Sequence, residues 1–188
     1  DCILAQRHVN YLFTLTECGC MHVYTVVPVA PFEPESVITK SIECLRELEC
    51  DSFNHKVYYV IDTFPGDKRK LCRTLPDNFK MILRNTNRGR RAGAINDILN
   101  EIENADYMAL IDVDWRPAKD YIVKCVAALE ENDSAFSSSG CSFVTNNSNV
   151  LTKIMSIENY FLCDMYRLLS RSDSFLTFKG GGVVRGRF

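Results

Sequence analysis

The feature that most constrains this chain is an alternation. Continuous apolar runs, too short to be helices and too apolar to be half-exposed strands, take turns with segments of helical period. The runs are "HVYTVVPVA" (22–30), "KVYYVIDTF" (56–64), "FKMILRN" (79–85) and "DYMALIDVDW" (106–115). Each is rich in β-branched or aromatic residues and lacks strict polar alternation, which marks strands covered on both faces. Between them, "PESVITKSIECLRELEC" sets Val37, Ile38, Ile42, Leu45 and Leu48 on one helical face. "AGAINDILNEIENA" (92–105) does the same with Ile95, Ile98, Leu99 and Ile102, and "AKDYIVKCVAALEEN" (118–132) follows as a further helix. After these the spacing predicts a polar-interrupted strand over 134–146, a long helix over 149–171 and a last strand over 175–188 with a glycine kink. Strand and helix in alternation predict an α/β fold, a mostly parallel central sheet with helices on both faces.

Such sheets bind ligands outside the carboxyl ends of their strands, so the residues there carry the functional argument. The fourth run ends in "LIDVDWRP". On a strand, residues two apart point the same way, so Asp112 and Asp114 are expected to face one spot, with Val113 turned away. Paired carboxylates repel unless a cation sits between them, and a hard divalent ion, Mg²⁺ or Mn²⁺, suits oxygen ligands of this kind. The second run ends at Asp62, which could accept hydrogen bonds from a base or ribose; taken alone it reads better as a turn-former before Pro65-Gly66. The third run leads into "RNTNRGRRAGAIN", where Arg84, Arg88, Arg90 and Arg91 crowd ahead of a helix starting near Ala92. Arginines at a helix N-terminus make a diphosphate cradle; a basic surface loop is the plainer alternative, and Lys68, Arg69 and Lys70 are read as one. Together the clusters suggest a nucleotide diphosphate held through a metal.

These segments resemble, in order, the motifs of family 2 glycosyltransferases with the GT-A fold, particularly the cellulose-synthase-like and dolichol-phosphate-sugar-synthase-like branches. "VVPVAPFEPESVITKSIECL" is similar to the family's opening segment, and "VYYVIDTFPGD" to its second strand. "RRAGAIN" is similar to its K-A-G-A-L-N motif, "LIDVDWRP" to its D-x-D strand and "FKGGGVVRGRF" to its strand near the acceptor. The resemblance spans roughly residues 22–188, with 1–21 left as an N-terminal extension and the domain read as incomplete at its C-terminus. It implies an inverting, metal-dependent transfer of sugar from a UDP- or GDP-linked donor to the hydroxyl of a glycan or lipid-linked acceptor. Pro28, Glu33, Asp62, Arg91, Asn96 and Asp112 would bind the nucleotide sugar, Asp114 with Asp112 the metal, and Gly181 and Gly182 would line the sugar and acceptor channel. The general base is expected beyond Phe188. The sequence departs from the pattern at Pro31-Phe32, where Tyr-Asn is common, and at Asp62, which stands alone where the family has a pair.

A donor-binding module or pseudoenzyme, the same pocket without transfer, is the alternative. A sugar nucleotidyltransferase would need a glycine-rich loop after the first strand, which "PVAPFEPES" does not supply. The formal net charge of -2 gives no general attraction for nucleic acid. Nine scattered cysteines read as free thiols in a reducing compartment; zinc held by Cys2 and the "CGCMH" stretch with His22 is the weaker reading, since structural zinc favours wider spacing. The expected location is cytoplasmic, at the cytoplasmic face of a membrane reached through segments outside this chain. The apolar 149–171 helix is expected to pack into the core.

Overall fold

The computed structural model describes residues 21–67, 69, 75–85, 87–99, 101–102, 104–146, 148–170 and 180–186. The N-terminal extension, apart from Met21, lies outside them, as do Cys2, Cys18, Cys20, Cys72, Lys68, Lys70 and most of the segment before the last strand. The zinc reading therefore falls outside the described residues.

The elements run β1 (His22–Val29), α1 (Glu35–Arg46), β2 (Asn54–Asp62), β3 (Phe79–Arg84), α2 (Arg90–Leu99), β4 (Tyr107–Ile111), α3 (Tyr121–Glu130), β5 (Ser137–Ser138), α4 (Val150–Ser170) and β6 (Gly181–Arg185). They build one sheet in the order β3-β2-β1-β4-β6-β5. β1 pairs in parallel with β2 and with β4, and β2 with β3, while β6 runs antiparallel to both β4 and β5. The sheet is therefore mixed α/β and mostly parallel, as the apolar runs predict.

The pleat sorts the core. On one face Val27, Val29, Val57, Tyr59 and Ile61 pack under Ile38, Ile42 and Leu45 of α1, and Val23, Tyr107, Ala109 and Val183 pack under Ile122, Val126 and Leu129 of α3. On the other face Tyr24, Val26, Tyr58, Val60 and Met108 meet Ala94 and Ile98 of α2. Both faces of β1 and β2 are thus buried, which is why those strands read as unbroken apolar runs.

Three expectations fail. The strand expected over 134–146 contracts to Ser137–Ser138, since a run of serines with Gly140 has little side chain to pack. The 92–105 helix begins two residues early, at Arg90, and stops at Leu99. The third is α4: from Val150 to Leu169 only Asn159 and Cys163 are buried, and the edge formed by Val150, Ile154, Ile157, Phe161, Met165 and Leu168 is exposed. Its apolar period is a real helical stripe, but this stripe is exposed. No helix among the described residues is long and apolar enough to cross a membrane. The described cysteines, Cys44, Cys50, Cys125, Cys141 and Cys163, are free thiols.

One partly buried histidine couples this core to pH. His55 on β2 packs its Nε2 2.8 Å from the hydroxyl of the fully buried Thr25 on β1. Burial lowers the imidazole to about 4, against about 6.5 in an unfolded chain. The unfolded state therefore binds a proton that the folded state refuses. This stability is fully present above pH ~6.5 and is lost as pH falls toward 4, by about 2–3 kcal/mol. Urea midpoints from pH 7.5 to 4.5 are expected to fall more steeply for the wild type than for His55→Gln, which has no imidazole to titrate.

Candidate active site

The strand order places a reversal between β1 and β4: from β1 the chain crosses first to β2 on one side, and later to β4 on the other. β4 pairs with β1 only from Val23 to Val26. Beyond that point β1 continues alone on this side through Pro28 and Val29, so the missing N–H of Pro28 falls where that ladder has already ended. The two strands part at their carboxyl ends, and the gap opens into a cavity of about 540 Å³. This size is within the ordinary range for small-molecule sites, about 300–1,000 Å³.

The cavity is lined by Pro28, Glu33, Asp62, Asn87, Arg90, Arg91, Asp112 and Asp114, together with Val29, Ala30, Phe32, Ala94 and Val113. Every strand of the parallel set contributes its carboxyl end or the loop that follows. Of the residues singled out in the sequence, Pro28, Glu33, Asp62, Arg91, Asp112 and Asp114 meet here. Asn96 does not: it is exposed on α2, past the turn that carries Arg91, and lies outside the cavity lining. Gly181 and Gly182 are buried in β6, opposite Ile111 and Leu110, and are not lining residues either.

Asp62 is no turn-former. It is the last residue of β2, and its side chain is 4% exposed. The guanidinium of Arg84, equally buried at the end of β3, lies 3.1 Å from Asp62 Oδ1 and 2.9 Å from Asp97 Oδ2 on α2. Arg84 Nη2 also donates to the Arg88 carbonyl at 2.7 Å. One side chain thus ties the end of β2 to the arginine-bearing turn and to α2. Burial raises the Asp62 carboxyl above its usual range; Arg84 opposes this and Asp97 adds to it. The turn is tight at Gly93 as well, where a Cβ would lie 2.0 Å from the Arg88 carbonyl oxygen. The glycine of "RRAGAIN" is therefore required by packing.

Asp112 and Asp114 converge for a different reason from the one the sequence suggests. β4 ends at Ile111, and the two acids lie in a turn closed by Trp115 N–H donating to the Asp112 carbonyl at 2.9 Å. Val113 is buried but lines the same cavity rather than turning away from it, while Asp114 is exposed and Asp112 half-buried. Arg116 pins the turn from behind: Nη1 donates to the Val113 and Trp115 carbonyls at 2.8 Å, and Nη2 to the Val37 carbonyl of α1. The indole of Trp115 lies over Gly180 and Gly181, where a Cβ at either position would come within 2.7 Å of the ring. These glycines make room for the tryptophan that shapes the acidic turn. Arg91 Nη1 lies 3.0 Å from Asp112 Oδ1 and 3.3 Å from Oδ2. Burial raises the Asp112 carboxyl, Arg91 opposes this, and Asp114 raises it further.

Sequence reasoning missed Asp97, Trp115 and the role of Arg69. The last is no solvated side chain: Arg69 pairs with Asp67 and donates to the carbonyls of Ala30, Glu33 and Asp62, fastening the loops after β1 and β2 to each other. A tryptophan directly after an acid pair, with a glycine run on a later strand, was a signal that could have been read.

The donor set fits a divalent cation of the Mg²⁺ or Mn²⁺ kind. Asp112 and Asp114 supply hard oxygens beside an open cavity, and such ions keep waters or phosphate oxygens for the rest of their shell. Among the described residues no group of three or more His, Cys, Asp or Glu side chains gathers to hold a metal by protein ligands alone, so a cation here would depend on its substrate for further ligands.

Comparisons with known proteins bear on the fold and the family. The chain is similar in structure to the mannosyltransferase PcManGT from Pyrobaculum calidifontis, solved in complex with GDP-Man and Mn²⁺ (TM-score 0.55, 15% identity, 95% of this chain and 52% of that one). It is also similar to residues 1–349 of TarS from S. aureus (TM-score 0.51, 19% identity, 69% of this chain and 38% of that one). The chain spans about half the length of the first and less of the second, and at these identities the likeness establishes the fold, that of GT-A glycosyltransferases. No protein with a curated description matches the sequence. Residues 26–183 match the family described as Glycosyl transferase family 2, and a match over most of the chain makes the chain a member of that family.

Proposed function

We propose that this domain binds a nucleotide-diphosphate sugar with a divalent cation and transfers the sugar, with inversion, to an acceptor hydroxyl. The observation that carries the reading is the meeting of Asp62, Arg90, Arg91, Asp112 and Asp114 around one cavity at the reversal of strand order. Bound GDP-Man and Mn²⁺ in the similar mannosyltransferase support it.

In this reading Pro28, Glu33 and Asp62 face the nucleoside. Asp62 accepts from a base or ribose donor, held in place by Arg84. Arg90 and Arg91, in the first turn of α2, meet the diphosphate with planar donor forks, and the positive end of the helix dipole adds to the field. Asp112 and Asp114 would hold the cation, which supplies Lewis-acid neutralisation of the departing diphosphate. The chain's own contribution is to hold these groups in place around the bound donor before charge develops, so that little reorganisation is needed then. The acceptor is a glycan or lipid-linked hydroxyl, and the setting is the cytoplasmic face of a membrane; both rest on the family resemblance.

The test is calorimetric titration of the chain with UDP and with GDP, with and without Mn²⁺. At least one nucleotide is expected to bind, about tenfold or more tightly with Mn²⁺, and the preferred base identifies the donor class. No binding of either nucleotide to the folded chain in Mn²⁺ would overturn the reading. Binding of the nucleotide sugar without turnover to any acceptor would favour a donor-binding module instead.

A further inference from the structure

Arg91 is already engaged when the nucleotide is absent. Its Nη1 sits across both oxygens of Asp112, at 3.0 and 3.3 Å. Those are the oxygens a divalent cation would need. The described residues offer the cation no cluster of three ligating side chains; at the acidic turn it meets Asp112 and Asp114, and one of the two is paired with a guanidinium. Yet the pair is not locked: the Arg91 side chain is 44% exposed and that of Asp112 31%. Arg91 also sits in the first turn of α2 beside Arg90 and lines the same cavity. A diphosphate bound there brings what Arg91 exchanges toward, a set of phosphate oxygens that accept from a guanidinium in bidentate fashion.

We propose that Arg91 is an exchangeable counter-ion: in the free protein it holds Asp112, and on loading it passes to the diphosphate while the divalent cation takes the vacated carboxylate. The proposal rests on the reading of this cavity as a metal–nucleotide site. No bond is made or broken in the exchange; one ion pair, Arg91 with Asp112, is replaced by two, Arg91 with phosphate and Asp112 with the cation. Its consequence is coupling. The cation alone competes with Arg91 and binds weakly. The nucleotide draws Arg91 away and so tightens the cation, and by linkage the cation tightens the nucleotide by the same factor. The site thereby favours a cation–nucleotide pair over either component alone.

The experiment is a Mn²⁺ titration followed by the electron paramagnetic resonance signal of the free ion, at fixed ionic strength. It is run without nucleotide and with saturating UDP or GDP, the nucleotide's own Mn²⁺ binding being subtracted. The proteins are the wild type, Arg91→Gln, Arg91→Lys and Arg90→Gln, each shown by circular dichroism and a denaturant transition to be folded. Without nucleotide, Arg91→Gln is expected to bind Mn²⁺ about tenfold more tightly than the wild type. Arg91→Lys, which keeps a cation, should stay near the wild type, and Arg90→Gln, whose residue does not hold Asp112, should shift by less than about twofold. With nucleotide, the wild type should gain about tenfold or more in Mn²⁺ affinity, and Arg91→Gln about two- to threefold. If the wild type binds nucleotide with Mn²⁺ but Arg91→Gln binds free Mn²⁺ no more tightly, the exchange is overturned while the site reading stands. Equal tightening by Arg90→Gln would overturn it too, since a general change of charge would then suffice. If the wild type takes up no nucleotide at any Mn²⁺ concentration, the site reading fails and the exchange fails with it.

Discussion

Arg84→Met is expected to lower the unfolding free energy by about 3–5 kcal/mol, the usual cost of removing one partner of a buried ion pair. The side chain is 5% exposed, and its guanidinium is shared by Asp62 and Asp97. Methionine fills much of the volume, so cavity formation is a minor part of the loss. The larger part is Asp62, left charged at the end of β2 with no other salt-bridge partner among the described residues. Its carboxyl already lies above the usual range through burial, with Arg84 pulling the other way, and without Arg84 it rises further. A folded-state value above the unfolded one makes the folded state the better proton binder, so the deficit of the variant shrinks as pH is lowered through the raised value. Denaturant unfolding at pH 7.5 and 5 reads this directly. The deficit should be larger at pH 7.5, and Asp62→Asn in the Arg84→Met background should recover part of it. A deficit that is independent of pH and untouched by Asp62→Asn would mean that the lost bond to the Arg88 carbonyl, rather than the orphaned acid, sets the cost.

That prediction also marks the limit of what the sequence reveals. β1 to β4 were legible because both sheet faces are covered, which leaves a continuous apolar run that no loop and few helices share. Asp112 and Asp114 were legible because they follow directly on an apolar strand, although they lie in the turn after it. The ion pairs around Asp62 were not. Arg84 stands out only as one of several arginines, and nothing local separates the one that is buried between two aspartates from Arg88, which is exposed. Asp97 looks like an ordinary helix acid. Asp62, without its salt bridge in view, looks like a turn residue. Long-range electrostatic pairing leaves no period in the sequence, and so it stays hidden until the chain is folded. The failure at α4 has the opposite cause: the period is plain, but a period gives an apolar face and not its direction, and here the face points outward.

Asp114→Ala is expected to leave stability within about 0.5 kcal/mol of wild type, as for most exposed substitutions, yet to remove the metal dependence of nucleotide binding altogether. The two effects separate because the turn is built by other groups. Trp115 N–H closes it on the Asp112 carbonyl, Arg116 holds the Val113 and Trp115 carbonyls, and Val113 anchors it in the core; the Asp114 side chain takes no part. What it contributes is charge at the mouth of the cavity. In the free protein Asp112 is matched by Arg91, so Asp114 is the carboxylate most available to an arriving cation, and its loss removes the first contact rather than the scaffold. Nucleotide affinity in Mn²⁺ should fall to the metal-free level, and any transferase rate by about 10³-fold, the several kcal/mol that Lewis-acid stabilisation of a leaving group supplies. Asp112→Asn should behave differently. It releases Arg91 as well as removing a ligand, so metal-free nucleotide binding should improve while the Mn²⁺ effect is lost. Calorimetry on the two variants beside wild type, with and without Mn²⁺, tells the roles apart. Identical behaviour of Asp114→Ala and Asp112→Asn in the absence of metal would mean that Arg91 is not restrained by Asp112 in the free protein. Retention of a full Mn²⁺ effect in Asp114→Ala would move the cation away from this turn.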